Sequence, residues 1–526
     1  MKVKISPNLR RALIGLVGAS LILLIWSISS PLGSDPDSSF HGNSIWCGQG
    51  IRRGVCESPS KNAPPTKPTT VLTPASIASL GSCFSFNAAQ SAACEADLLA
   101  NNRLVPNQFN NQDRLYPNGY YWVMSHFAFL GTEAGLMTVR LINVALFMAL
   151  TSLLLLLARS HPGLVRGVFT SIVITWVPLG LFLIASYNSS SWTITGVTFF
   201  WAFLWIGLRD RNLGNSILAW SGALLSGLIA IGSRFDGAVY VALSAVIVIF
   251  ISWRERGGLP QTILAIGTCV IAICAASLSY LMTGQGVVVS RGLIGTDNVQ
   301  YGSLQVFWTN LFRLPGLFLG LYGLHGFGGG LGWLDTPMPP ITWTLLLVCA
   351  SITIMTISRN LSTRHKIGVA ILIMAVVAIP LYILQNDKAI VGEYVQSRYV
   401  LPLVTVLIGV LLVPGAQGGR CVVAISRRFR WSIALGVTVA HGAALHTNMR
   451  RYISGLDVVS PNLNEGREWW PTWAPNPNLC WLAASTLTLV VVLAILEIGV
   501  TTPDQKGPQE RPGTLVENSN RGRGGT

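Results

Sequence analysis

Stretches of about twenty apolar residues recur along the whole chain, each long enough to cross the ~30 Å hydrocarbon core of a bilayer. The first, ALIGLVGASLILLIWSISSPL at 12–32, follows the basic segment KVKISPNLRR. Its apolar core exceeds the roughly 7–15 residues of a signal peptide, and no clean small-x-small cleavage site follows. It therefore reads as a retained first helix that doubles as the targeting signal. Further spans fall near 136–158, 166–186, 190–208, 214–232, 235–252, 262–283, 341–358, 367–385, 399–415, 430–448 and 479–500. That makes about twelve by the length criterion. Only 11% of the 526 residues are charged, against about 25% in a soluble domain. The fold class expected is an all-α polytopic membrane protein with one transmembrane domain over 12–500.

The net charge of +15 raises the question of nucleic acid, but its placement answers it. Arg10 and Arg11, Arg159 and Arg166, Arg209 and Arg211, Arg254 and Arg256, Arg364 and Lys366, and Arg427, Arg428 and Arg430 all fall in short connections between apolar spans. That is the positive-inside pattern, which orients a membrane protein; no folded basic domain accompanies it, so no nucleic-acid partner is expected. Charge here sets topology and meets anionic membrane lipids. The pattern places both termini in the cytoplasm, with residues 1–11 as a short N-terminal segment. The polar tail 501–526 reads as disordered and cytoplasmic.

The same orientation puts four loops outside. The largest, 33–135, is rich in Asn, Ser, Pro and Gly and too long to be a simple connector. It ends in the aromatic stretch YPNGYYWVMSHFAFLG (116–131), which suits an interfacial helix. The loop 284–340 carries an amphipathic or re-entrant segment before a Gly-rich turn. The others are 385–399 and 449–478. Cys47, Cys56, Cys83 and Cys94 all lie in the first loop, and four cysteines in an external loop point to two disulfides. Of the three connectivities, the local one, Cys47–Cys56 with Cys83–Cys94, is expected. Cys269, Cys274 and Cys349 lie within spans as small core residues. No P-loop, dinucleotide fingerprint or zinc spacing occurs.

Ionisable groups gather on the external side. Asp35, Asp37 and His41 follow the first span in GSDPDSSFH; carboxylates at a membrane face act as general bases or bind a divalent cation, and the plain alternative is a solvated helix terminus. Tyr116 and Tyr120 offer faces on which sugar rings stack, or form an aromatic belt. Arg140 stands near the outer end of the second span, a functional position by default unless it snorkels. Asn188 lies in an external turn where Asn is ordinary. Arg234 and Asp236, between two spans, form either an ion pair or an anion site, since a planar guanidinium suits phosphate. Trp333 and Asp335 follow a turn whose glycines let backbone approach a ligand closely. Gln396, Arg398 and Tyr399 stand at the mouth of the tenth span.

Several of these groups resemble elements of the bacterial predicted membrane proteins of domain-of-unknown-function family 2142. Pro36, Asp37 and His41 resemble its Pro-Asp-Glu-x-x-His element, with Ser38 where the second acid usually stands. Tyr116, Pro117 and Tyr120 are similar to its Tyr-Pro-x-x-Tyr element, and the turn at Asn188 to a degraded Asn-Pro-Asp. Gly330, Gly332, Trp333, Leu334 and Asp335 resemble Gly-x-Gly-Trp-Leu-Asp. Gln396, Arg398, Tyr399 and Pro402 resemble Gln-Gly-Arg-Tyr-x-x-Pro, with Ser397 for the glycine. The matches run in order from about residue 31 to 415. The family's layout resembles GT-C glycosyltransferases, which use polyprenyl-phosphate sugars and an acid of the first external loop. The resemblance implies a glycosyltransferase of the cell envelope acting on a glycan, lipid or protein acceptor. Asp37 would be its base, or the holder of a divalent cation, Mg or Mn, with Asp35 second. Arg234 or Arg398 would hold the lipid phosphate of the donor, and Trp333 and the tyrosines would stack on sugars. Two other classes stand beside it: a flippase of lipid-linked glycans, which calls for charges near span centres, and a non-catalytic envelope scaffold docking through the disulfide-bonded loop.

Overall fold

The computed structural model describes residues 6–59, 69–255, 258–284, 302–357, 361–393, 395–413 and 422–499. Every expected span coincides with a helix, and among the described residues nine helices are long and apolar enough to cross a membrane. The other three expected spans depart from that form. The third is broken by Val177–Pro178 into helices Pro162–Trp176 and Leu179–Ile184, as expected where proline removes a donor and crowds the preceding turn. The tenth, Ser397–Leu412, has 16 residues. The eleventh, Arg427–Ile453, is long enough at 27 residues but carries Arg and His along its length. The tail 501–526 lies outside the described residues.

The first helix, Pro7–Ile28, starts where the Ser6 side chain accepts the Leu9 N–H and proline occupies the first turn, both standard start signals. It packs on Pro477–Glu497 and Thr132–Leu157. Helix Ser190–Arg209 is buried at every residue, as a helix apolar all round must be. Around it lie Leu213–Ile231, Phe235–Ser252 and Ser397–Leu412, with Trp201 and Trp205 fully buried in the core.

Between the first helix and Thr132–Leu157 the chain forms a folded layer. Strands Val71–Pro74 and Leu104–Asn107 pair antiparallel, Val71 opposite Asn107 and Pro74 opposite Leu104. The disulfides are Cys47–Cys56 and Cys83–Cys94, the local pairing. The aromatic stretch does not form one interfacial helix. It breaks into Gly119–Met124 and a tighter turn, Ser125–Leu130, with Tyr120 and Tyr121 fully buried and Trp122 and Phe129 exposed. In the 284–340 region, 285–301 lie outside the described residues. Helix Ser303–Leu319 follows, burying Val306, Asn310, Leu314 and Leu317, one stripe of an amphipathic helix.

Candidate active site

The first helix ends at Ile28, where its last carbonyls would be left without intrahelical donors. Arg140 takes them. Its guanidinium, 1% exposed, donates to the carbonyls of Ser27 (2.9 Å), Ser30 (2.8 Å) and Pro31 (2.5 Å). It therefore neither snorkels nor lies open to a ligand. The chain then turns through residues 31–37 with its polar groups held one by one. Glu95 accepts the N–H groups of Leu32 (3.0 Å) and Gly33 (2.5 Å). The Gly33 carbonyl accepts from Trp333 Nε1 (2.8 Å) and Ser38 Oγ (3.0 Å). Asp35 Oδ2 accepts the Tyr187 N–H at 3.2 Å, and Asn188 Nδ2 donates to the Pro36 carbonyl at 3.1 Å. Ser38 thus closes the turn on itself.

Asp35 and Asp37 part company here. The Asp35 side chain is 1% exposed and 4.0 Å from Arg140; burial pushes its carboxyl up to about 6, against the pull of Arg140. Asp37 has left-handed backbone (φ 59°, ψ 30°) at the head of helix Ser38–Trp46, and its side chain is 38% exposed. Its Oδ2 accepts from Arg398 Nη2 at 2.6 Å. Partial burial would raise the Asp37 carboxyl, but Arg398, with Arg234 beyond it, outweighs that and holds it below its usual range.

Arg398 heads helix Ser397–Leu412 and also donates to the Tyr399 hydroxyl (3.1 Å). Arg234, between helices Leu213–Ile231 and Phe235–Ser252, grips Asp236 with Nε and Nη2 (2.9 and 3.1 Å). Its guanidinium lies 4.4 Å from the Tyr399 ring centroid and 5.3 Å from that of Tyr116. The structure therefore brings Asp37, Tyr116, Arg234, Asp236, Arg398 and Tyr399 into one cluster from four separate parts of the chain. Arg234 Nη1 and Arg398 Nε are buried without a hydrogen-bond partner, which is costly for a charged donor. Two buried guanidinium groups with unused N–H groups beside aromatic faces suit an oxyanion such as a phosphate.

His41 sits beside the cluster, its ring centroid 5.8 Å from that of Tyr116. Its Nδ1 is 2.8 Å from the Tyr121 hydroxyl. Burial, against the pull of Asp37, drives its pKa down to about 3, so the ring is neutral. Tyr120 is turned inward, donating to the Tyr187 carbonyl (2.5 Å). Asp335 is not with Asp37: its carboxylate pairs with Arg451 at 2.9 Å. Part of the Gly-rich turn is packed closely on protein. At Gly332 (φ 63°) a Cβ would lie 2.6 Å from the Tyr452 hydroxyl. Trp333 donates to Gly33 and meets Phe86 edge-on at 5.4 Å. Gln396 caps the Arg398 helix with its Oε1 buried and unpaired. Among the described residues no three His, Cys, Asp or Glu side chains converge, and Arg398 holds the Asp37 carboxylate.

Residues not singled out from sequence also build the site: Tyr121 against His41, Tyr187 on Asp35 and Glu95 under the turn. Glu95 had one visible signal, an acid directly following a disulfide cysteine; Tyr187 acts through its backbone N–H, which no side-chain pattern reveals.

No curated protein matches the sequence. Among solved structures, the crystal structure of ArnT from Cupriavidus metallidurans bound to undecaprenyl phosphate is similar at 13% identity and a TM-score of 0.41, over 92% of this chain and 77% of that one. The apo state of the same protein gives 11% and 0.39 over the same shares. The family model described as "Predicted membrane protein (DUF2142)" matches residues 21–407, a range that holds every member of the Asp37 cluster. Carrying that match over most of its length, the chain belongs to the DUF2142 family of predicted membrane proteins.

Proposed function

We propose that the protein is an integral-membrane glycosyltransferase of the bacterial cell envelope, moving a sugar from a polyprenyl-phosphate donor to an acceptor hydroxyl on the external face. The observation that carries this reading is the Asp37 cluster: a reachable carboxylate against two buried guanidinium groups whose remaining N–H groups lack partners. The donor phosphate takes those N–H groups, and its negative charge displaces Asp37 from Arg398. Freed of its counter-ion, the Asp37 carboxyl rises toward its ordinary pKa and accepts the proton of the acceptor hydroxyl. The acceptor oxygen bonds to the anomeric carbon as that carbon's bond to the phosphate oxygen breaks. The leaving polyprenyl phosphate keeps the electron pair, its charge held by Arg234 and Arg398. Tyr116 and Tyr399 flank the reacting sugar.

The test is complementation in a strain lacking the native copy, with protein levels matched. Wild type restores the envelope glycan and Asp37→Asn does not. An Asp37→Asn protein that restores it fully rules the reading out.

A further inference from the structure

The Cys83–Cys94 loop reaches the Asp37 turn through a single side chain. Glu95 follows Cys94 directly and is 3% exposed, yet both of its oxygens are spent on backbone: Oε2 on the Leu32 N–H and Oε1 on the Gly33 N–H. Those amides open the short turn Leu32–Ser34, where no preceding carbonyl is in register to receive them. An acid buried this deeply is costly unless its hydrogen bonds are made, so its position must be held firmly.

The surroundings do that. The disulfide fixes Cys94 to Cys83. Arg451 pins the loop between them by donating to the Phe84 and Gln90 carbonyls at 2.7 and 2.5 Å, and the same guanidinium pairs with Asp335. The residues flanking the disulfide loop on both sides lie directly on the turn: a Cβ on Gly33 would fall 2.1 Å from the Gly81 nitrogen and 2.8 Å from Glu95 Oε1. Trp333 closes the opposite side through the Gly33 carbonyl. Four residues on, Asp37 has a left-handed backbone. Asp tolerates that conformation better than most residues with a side chain, but it still costs free energy that surrounding contacts offset.

We infer that Glu95 is a positioning residue for the Asp37 carboxylate, making the Cys83–Cys94 loop a working part of the site. The inference rests on the reading of Asp37 as the reacting acid. Glu95 orders residues 32–36 from the amide side while Arg140 and Asn188 hold the carbonyl side. It touches neither donor nor acceptor and acts only through where the turn places Asp37.

The experiment uses the full chain in lipid nanodiscs, with Glu95→Gln and Glu95→Asp. Glutamine keeps the size but sets an NH2 group against one of the two amides; aspartate keeps the charge and falls short by one methylene. Backbone amide exchange is read over residues 31–38, undecaprenyl phosphate binding is titrated, and glycan restoration is scored in the deletion strain. We expect exchange over 31–38 to rise at least tenfold in Glu95→Gln and less in Glu95→Asp. Lipid-phosphate affinity is kept or rises, because Arg234 and Arg398 are untouched and a misplaced Asp37 competes less for Arg398, and glycan restoration falls at least tenfold. Unchanged exchange, or raised exchange with full restoration, overturns the inference. If Glu95→Gln is too unstable to purify, Glu95→Asp alone decides by the same two readouts. Asp37→Asn is the separate control: full restoration by it removes the reading of Asp37, whatever the exchange at 31–38.

Discussion

Asp37 and Arg398 stand 361 residues apart in the chain, and their side chains meet at 2.6 Å. The arginine is 2% exposed and the aspartate 38%, so one partner is fixed and the other reachable. In the proposed reaction the carboxylate holds the place of the donor phosphate until the donor arrives.

Removing that resident counter-ion makes a test with opposite signs on binding and turnover. Asp37→Asn is expected to bind undecaprenyl phosphate about tenfold more tightly than wild type, a gain near 1.4 kcal/mol, while losing glycan restoration. Titration of the purified proteins checks the first, and weaker binding by Asp37→Asn contradicts the exchange of partners.

Arg234 supplies the second guanidinium, and its fork geometry on Asp236 leaves Nη1 unused. Arg234→Lys keeps the charge but cannot hold Asp236 with two nitrogens and still reach a ligand. Charge-assisted hydrogen bonds are worth roughly 1.5–3 kcal/mol, so lipid-phosphate affinity should fall about ten- to a hundredfold. Equal affinity for Arg234→Lys and wild type places the phosphate elsewhere.

Two buried carboxyls give a pH dependence of stability. Burial raises Asp35 to about 6 and Glu95 to about 7; Arg140 and the bonded amides oppose both, and Asp35 itself adds to the rise at Glu95. The folded protein therefore keeps protons that the unfolded chain has lost. These two groups favour the fold fully below their ordinary pKa near 4, and that contribution is lost as pH rises through about 6 and 7. The thermal midpoint in detergent should fall between pH 5 and pH 8, and Glu95→Gln should flatten the fall. A midpoint that climbs over that range with equal slope in wild type and Glu95→Gln contradicts the assignment.

The Asp335–Arg451 pair lies outside the reacting cluster, with its two side chains 6% and 0% exposed. Breaking a buried pair by removing one partner costs about 3–5 kcal/mol. Asp335→Ala should lower the thermal midpoint and yield of the protein while the material that does fold binds undecaprenyl phosphate within about twofold of wild type. A large loss of affinity at unchanged midpoint would put Asp335 in the ligand site instead.

The sequence by itself determined the membrane-spanning helices, because hydropathy over about twenty residues is a local property that a bilayer reads directly. It also delimited the segment of the two disulfides and drew attention to Asp37, Arg234 and Arg398. Where it went astray was in side-chain direction. The aromatic stretch at 116–131 has the composition of an interface, yet Tyr120 and Tyr121 turn inward; Arg140 stands where a snorkelling side chain would, yet serves carbonyls at and just beyond the end of the first helix. Only the tertiary structure decided which ionisable groups meet. Asp35 and Asp37 are two residues apart, and one is sealed beneath Tyr187 while the other faces Arg398. That difference arises from a left-handed residue and from hydrogen-bond partners brought in from positions 95, 140, 188 and 333. Such partners are chosen by helix packing over long sequence separations, which no window along the chain encodes.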